Sequence, residues 1–325
     1  MRKYIHTTLH PEVYHGHDKR PPYFEGWYFK LVDATEQHRL AVIPGIFIGK
    51  QHREAFVQVL DGMSGHSSYH EYAAEQFNAS WQTFDVRVGD NQFAQDCIAL
   101  HIDDAQRPIH GELCFRDITP YPVTLTAPGI MGWYGWIPIM ECYHGLVSLD
   151  HTLEGILEVA GNRIDFTGGR GYIEKDWGQA FPSAYIWYQT NHFDTRGTCL
   201  SASIAMIPNL GLTFRGFIIA LWHNRQLYRF ATYTGAKVEK LELTDDHVFW
   251  VVSDGKHRLE MAAERTSGGL LHAPIRTEMH RRVNETLQST LDVKLSTRSG
   301  STLFSGVGRC AGLEVHGDLE TLLHT

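Results

Sequence analysis

The feature that most constrains this chain is the repeated interruption of short β-branched and aromatic runs by turns that carry glycine. "VFWVVSDGKHRLEMAAE" sets Asp254-Gly255 between two strand-like runs, "GILEVAGNRIDFTGG" does the same with Gly161-Asn162, and "FVQVLDGMSGHSSYH" with Asp61-Gly62. Glycine supplies the positive φ that a tight hairpin needs, so each stretch predicts a pair of antiparallel strands. Helical periodicity is scarce. Its best segment, "TEMHRRVNETLQSTL", lacks a broad apolar stripe and reads equally as strand and loop. The expectation is an all-β chain with few short helices. At 325 residues it exceeds the roughly 200 to 250 of a single all-β domain. Two antiparallel barrels in tandem are therefore expected, residues 1–166 and 167–325, with the glycine-rich "TGGRG" as the junction. The same glycines can instead mark a tight bend within one barrel.

The charge balance narrows the partners. A net charge of −8 gives no basic footprint, which argues against nucleic acid and against electrostatic attraction to anionic membranes. No stretch approaches the roughly 18 consecutive apolar residues of a membrane span. The early charges of "MRKYIHTTLHPEVYHGHDKR" have no apolar run behind them, so no secretory signal is read and a cytoplasmic protein is expected. The five cysteines are odd in number and include no C-x-x-C pair, and they read as reduced core thiols. No Walker loop, G-x-G-x-x-G or G-x-S-x-G elbow is present, and no cofactor is expected. The histidines in "YHGHDKR" and "GHSSYH" lack the spacing of a zinc site, and no metal is expected either.

Three segments can carry chemistry. As a strand, "FEGWYFKLV" puts Glu25 on one face with Trp27 and Phe29, and Tyr28 on the other. A carboxyl on an apolar face must find partners or keep its proton, so Glu25 is a candidate acid, with an ion pair to a basic residue as the plainer reading. In "GYIEKDWG", Glu174 and Asp176 share a face and lie about 7 Å apart, close enough to couple. Lys175 and Trp177 take the opposite face, unless Lys175 and Asp176 simply form an exposed turn. "AYIWYQTNHF" then aligns Tyr185, Trp187, Gln189 and Asn191, two rings followed by two neutral hydrogen-bonding groups. That pattern suits either a ligand wall or ordinary core. A further cluster, "PGIMGWYGWIPIMECYHG", holds Trp133 and Trp136 among glycines and reads as a lid or as a packed crossover.

Together these segments resemble the tocopherol cyclase family. "YHGHDKRPPYFEGWYFKLV" looks like its F-E-G-W-Y signature, and "GYIEKDWGQAFPSAYIWYQTNHF" like its central E-K-N-W-G signature. "GIMGWYGWIPIMECYHGLVSLDHTLEGIL", "LLHAP" and "CAGLEVHG" extend the resemblance over nearly the whole chain. Asp176 stands where the plant and cyanobacterial members have Asn, and the chain looks like a bacterial branch. The resemblance implies two lipocalin-like (calycin) barrels, with a more distant similarity to hydroxyneurosporene synthase. It also implies an isomerase that closes a prenylated hydroquinone to a chromanol by protonating an alkene, with no cofactor. Glu25, Glu174 and Asp176 are then the acid–base candidates. Trp27, Tyr28, Trp133, Trp136, Lys175 and Trp177 are expected around an apolar ligand, with Tyr185, Trp187, Gln189 and Asn191 completing the wall. A noncatalytic carrier of an apolar isoprenoid and an alkene hydratase are the alternatives. Peripheral contact with a membrane to collect substrate stays open.

Overall fold

The computed structural model describes residues 1–209 and 212–324. In chain order its first strands are β1 (Tyr23–Val32), β2 (Arg39–Ile48), β3 (Arg53–Asp61), β4 (Ser67–Ala73), β5 (Phe77–Ala79) and β6 (Asp85–Val88). There follow β7 (Asn91–Ala94), β8 (Cys97–Ile102), β9 (Ile109–Pro120), β10 (Cys142–Val159), β11 (Asn162–Asp165) and β12 (Arg170–Gly178). The second set is β13 (Tyr185–Thr190), β14 (Cys199–Asn209), β15 (Leu212–His223), β16 (Gln226–Ala231) and β17 (Lys237–Leu243). It ends with β18 (His247–Ser253), β19 (His257–Glu264), β20 (Gly269–Pro274), β21 (Met279–Thr297) and β22 (Thr302–His316). The helices are α1 (Arg2–Leu9) and α2 (Leu319–His324), and neither is long and apolar enough to cross a membrane.

The architecture is all-β, two antiparallel lipocalin-like barrels. The first sheet runs β4-β3-β2-β1-β12-β10-β9-β8-β7-β6-β5, with β11 on β10. Its two ends, β4 and β5, are consecutive in sequence and joined only by the short turn Ala74–Gln76. A connection that short cannot span a flat sheet at about 3.5 Å per residue, so the sheet must curl until its edges meet. Tyr72 of β4 and Asn91 of β7 meet there, the amide donating to the phenol oxygen at 3.1 Å. The second sheet runs β16-β15-β14-β13-β22-β21-β19-β18-β17, with β20 on β21, and the turn Thr232–Thr234 draws its ends together in the same way.

The three sequence hairpins form as β3–β4, β10–β11 and β18–β19. From Met279 on, "TEMHRRVNETLQSTL" is part of the long strand β21, whose backbone β22 pairs from Glu285 and β19 from Leu291. The chain divides into two compact units, Met1–Phe181 with Leu271–Arg282, and Pro182–Leu270 with Val283–Thr325. The boundary expected between residues 166 and 167 therefore moves to the far side of Phe181. β12, which follows the glycines, completes the first sheet between β1 and β10, so "TGGRG" is a bend inside that barrel. Cys199 and Cys310 are buried as expected, but Cys97, Cys114 and Cys142 are partly exposed: the first two alternate with core residues of β8 and β9, and Cys142 packs at the margin of the cluster around Phe24.

In the first barrel Trp27, Phe29 and Leu31 of β1 join the interior with Phe93, Leu113 and Ile173. The opposite face of β1 is also covered: Phe24 packs with Phe47, Phe56 and Met279 of the returning segment 271–282. A strand buried on both faces needs the near-continuous apolar run that "FEGWYFKLV" supplies. The last glycine of "TGGRG" has a packing reason. Gly171 stands opposite His151 of β10, and a Cβ there would lie 2.1 Å from His151 Nε2. His151 is only 2% exposed and is held at Nδ1 by Ser148 Oγ at 2.8 Å, so the ring has nowhere to go. Gly171→Ala is expected to cost about 1 to 3 kcal/mol. The check is a lower urea midpoint at unchanged slope.

Candidate active site

The register of β1 on β12 decides which candidate residues meet. Trp27 pairs with Lys175 and Glu25 with Trp177, placing these four side chains on the barrel's inner face. Tyr28 pairs with Glu174 and Gly26 with Asp176, and these take the outer face. Glu25 and the Glu174–Asp176 pair are therefore separated by the sheet, because side-chain direction alternates along each strand.

On the inner face Glu25 is fully buried and forms an ion pair with Lys175. The carboxylate also accepts the backbone N–H of His15, at 2.9 and 3.1 Å to its two oxygens, and the hydroxyl of Tyr23. Lys175 donates to the Val13 carbonyl and, at 2.8 Å, to His15 Nδ1. Its Nζ lies 4.6 Å from the ring centre of Trp27 and 4.9 Å from that of Trp177. Burial pushes the Glu25 carboxyl up, but the Lys175 charge and the hydrogen bonds from His15 and Lys175 outweigh it and hold the group down to about 2. Burial falls harder on the ammonium, pushed down to about 8 against the pull of Glu25. At neutral pH this is an ion pair, the plainer of the two readings open for Glu25. The indole faces of Trp27 and Trp177, expected around an apolar ligand, hold the protein's own cation.

On the outer face His144 of β10 stands opposite Asp176. Its Nδ1 contacts Asp176 Oδ1 at 2.9 Å, and its Nε2, 3.6 Å from Glu174 Oε2, is buried without a hydrogen-bond partner. Tyr172 donates its hydroxyl to Glu174 Oε2 at 2.6 Å. Burial pushes the imidazole down, yet Asp176 and Glu174 together raise it to about 9, so His144 carries a proton at neutral pH. His144, Glu174 and Asp176 each bring a ligand atom within 4.8 Å of the others, as do His52, Glu54 and Glu71, donor sets of a kind that can hold a divalent cation.

His144 is also where this cluster meets open space. A cavity of about 310 Å³ is lined by residues of α1, of the 3₁₀ turn Gly132–Trp136, and of the adjoining ends of β10 and β12. Its wall includes Tyr4, His15, Met131, Tyr143, His144 and Trp177. Trp177 is stacked between His15, at 4.3 Å, and Tyr143, at 5.4 Å. The chain before β1 is bound to the barrel by inner-face groups. Trp27 Nε1 donates to the Glu12 carbonyl at 2.8 Å, while Glu25 and Lys175 hold His15 and Val13. His15 Nε2 in turn reaches the Thr7 carbonyl of α1 at 2.9 Å.

Other candidates lie elsewhere. Trp133 is 50% exposed, and Trp136 donates from Nε1 to the Leu125 carbonyl at 2.9 Å; the turn lines the cavity through Met131 and Gly135 instead. Tyr185, Trp187, Gln189 and Asn191 belong to the second unit and none lines this cavity. There Ile186 and Tyr188 face the core, while Trp187 packs over Gly312 and Asn191 Oδ1 meets His192 Nδ1 at 2.9 Å.

Residues 115–317, more than half of the chain, match the family described as tocopherol cyclase-like. The chain belongs to the tocopherol cyclase-like family. Over 199 residues it is 26% identical to the chloroplastic tocopherol cyclase of Zea mays, a match covering 57% of this chain and 41% of the maize protein. Among solved structures CghA superposes with a TM-score of 0.57 at 12% identity, covering 93% of this chain and 90% of that one. A Nitrosomonas europaea protein described as AttH gives 0.52 at 14%, covering 90% and 92%. These structural likenesses show that the tocopherol cyclase-like chain shares their fold.

In this tocopherol cyclase-like chain, sequence reasoning missed the placement of His144, Tyr143 and Tyr4. His144 was visible only as a histidine behind a glycine- and tryptophan-rich segment. Its pairing with Asp176 depends on the β10–β12 register, which strand alternation alone does not give.

Proposed function

We propose that this chain is an acid–base enzyme that closes a prenylated hydroquinone to a chromanol, with His144, Glu174 and Asp176 as its proton-transfer centre. The observation that carries this reading is a histidine of the cavity lining, His144, set against two carboxyl groups, with Tyr143 and Trp177 also lining the cavity. Family membership supports the reaction class. The cavity, about 310 Å³, sits at the small end of the range for ligand sites, roughly 300 to 1,000 Å³. It suits the ring end of such a substrate.

The geometry favours a concerted closure. An imidazolium with a pKa of about 9 holds its proton too firmly to leave a free carbocation behind. The phenolic oxygen must bond to the tertiary alkene carbon as His144 delivers its proton to the neighbouring carbon. The phenolic proton passes to Glu174, whose Oε2 lies 3.6 Å from Nε2, and from there returns to Nε2, while Nδ1 keeps its own proton on Asp176 Oδ1 at 2.9 Å. Atoms balance without a co-reactant, because the product is an isomer of the substrate. Glu25 and Lys175 act at a distance from this step, holding Trp177 and the chain before β1 in place.

The test is incubation of the purified protein with a prenylated hydroquinone, followed by mass and ultraviolet spectra of the product. A chromanol of unchanged mass is expected. A product heavier by one water makes the protein a hydratase, and substrate recovered bound but unchanged makes it a carrier. Turnover that disappears on chelation and returns with a divalent cation would assign the three donors to a metal instead.

A further inference from the structure

We propose that Cys97 and Cys114 form a dithiol–disulfide pair that closes across the outer face of the first barrel on exposure to a low-molecular-weight disulfide. The two residues stand directly opposite each other on β8 and β9. One step along the ladder the Phe115 N–H donates to the Asp96 carbonyl at 2.7 Å, so Asp96 and Phe115 are a hydrogen-bonded pair. Hydrogen-bonded and non-hydrogen-bonded pairs alternate in an antiparallel ladder, which makes Cys97–Cys114 a non-hydrogen-bonded one. In such pairs the Cα atoms approach to about 4.5 Å, within the roughly 4.4 to 6.8 Å that a disulfide bridges.

Direction and access agree. Ile98 and Leu100 of β8 and Leu113 and Phe115 of β9 are core residues, so the alternating cysteines both point outward. Both thiols are partly exposed, whereas Cys199 and Cys310 are buried. Asp96 stands beside Cys97, and Cys114 Sγ lies 3.8 Å from Glu112 Oε1, with Arg116 two residues on along the same face. Burial and the Asp96 charge push the Cys97 thiol up to about 11, so Cys97 is a poor first nucleophile and suits the second, resolving step.

The exchange balances in two steps. The Cys114 thiolate bonds to one sulfur of the small disulfide and expels the other half as a thiolate. Cys97, losing its proton to solvent, then bonds to Cys114 Sγ and expels the second half. Two cysteine thiols are oxidised and one disulfide is reduced to two thiols. The inference is independent of the reaction proposed above.

The full reduced chain would be treated with oxidised glutathione and read by intact mass and peptide mapping. Loss of two hydrogens, a linked peptide pair containing Cys97 and Cys114, and reversal by dithiothreitol are expected. Cys97→Ser and Cys114→Ser proteins should each instead retain one glutathione on the remaining cysteine. The oxidised wild type should also show a higher urea midpoint than the reduced form, since the link restricts the unfolded chain. Stable glutathione on Cys97 or Cys114 without an internal link, or a link involving Cys142, would overturn the proposal, as would no reaction at either residue.

Discussion

The His144→Gln protein is expected to lose about 10²- to 10⁴-fold in turnover, the usual contribution of a positioned general acid–base group. Glutamine keeps a polar side chain beside Asp176 and leaves the rings of Tyr143 and Trp177 in place, so ligand affinity should change little. The pH dependence separates a proton-transfer role from a merely structural one. The imidazole pKa is raised from an ordinary 6.5 to about 9, so wild-type turnover should persist through neutrality and fall as the pH passes about 9. Stability follows the same sign. A histidine whose folded pKa is raised contributes its stabilisation fully below 6.5 and loses it as the pH rises from 6.5 to about 9. That contribution is on the order of 3 kcal/mol at about 1.4 kcal/mol per pKa unit. His144→Gln should abolish the alkaline decline in the urea midpoint as well as the turnover. A variant within tenfold of wild type, or one with the same alkaline limb, removes His144 from the chemistry.

The second large effect concerns the ion pair inside the barrel. Lys175→Met is expected to destabilise the protein by about 3 to 5 kcal/mol, because it leaves the Glu25 carboxylate buried with no opposing charge. Glu25→Gln strands the Lys175 ammonium between two indoles and should cost a comparable amount. The double variant removes both charges and should be far less damaged than the sum of the singles. Urea unfolding of all four proteins measures the coupling directly. Additive losses would mean that Glu25 and Lys175 do not stabilise each other. Because both groups hold residues 13 to 15, the single variants should also become sensitive to protease before residue 20, at denaturant concentrations where the barrels remain folded.

These expectations show what the sequence can and cannot convey. Strand alternation put Glu25 with Trp27, and Glu174 with Asp176, on shared faces, and the structure keeps both groupings. The places of the hairpins were equally legible, although of the three turn glycines only Gly161 takes a positive φ, in a turn made by Ala160 and Gly161 with Asn162 already paired to Val159. Alternation does not show which face of β12 joins which face of β1 or β10. That depends on register, between strands 32 residues apart at His144 and Asp176 and far more between β1 and β12, set by packing across the whole barrel. So Glu25 stayed open between an acid and an ion pair until Lys175 appeared opposite its neighbour Trp27, and His144 looked incidental until the ladder set it against Asp176. The rings of Tyr185 and Trp187 left wall and core open for a related reason. A strand buried on both faces carries large side chains on each, so aromatic alternation alone does not reveal which face lines a cavity.

The bond from Lys175 to the Val13 carbonyl joins residues 162 positions apart, and it sets an order of events. During synthesis the stretch around residues 12 to 15 emerges long before β12 exists, and its anchoring ammonium arrives only with Lys175. The aromatic slot between Trp27 and Trp177 likewise stays half-built until then. Early chain, held at first only by Trp27 and Glu25 of β1, must therefore wait for late chain to finish fastening it.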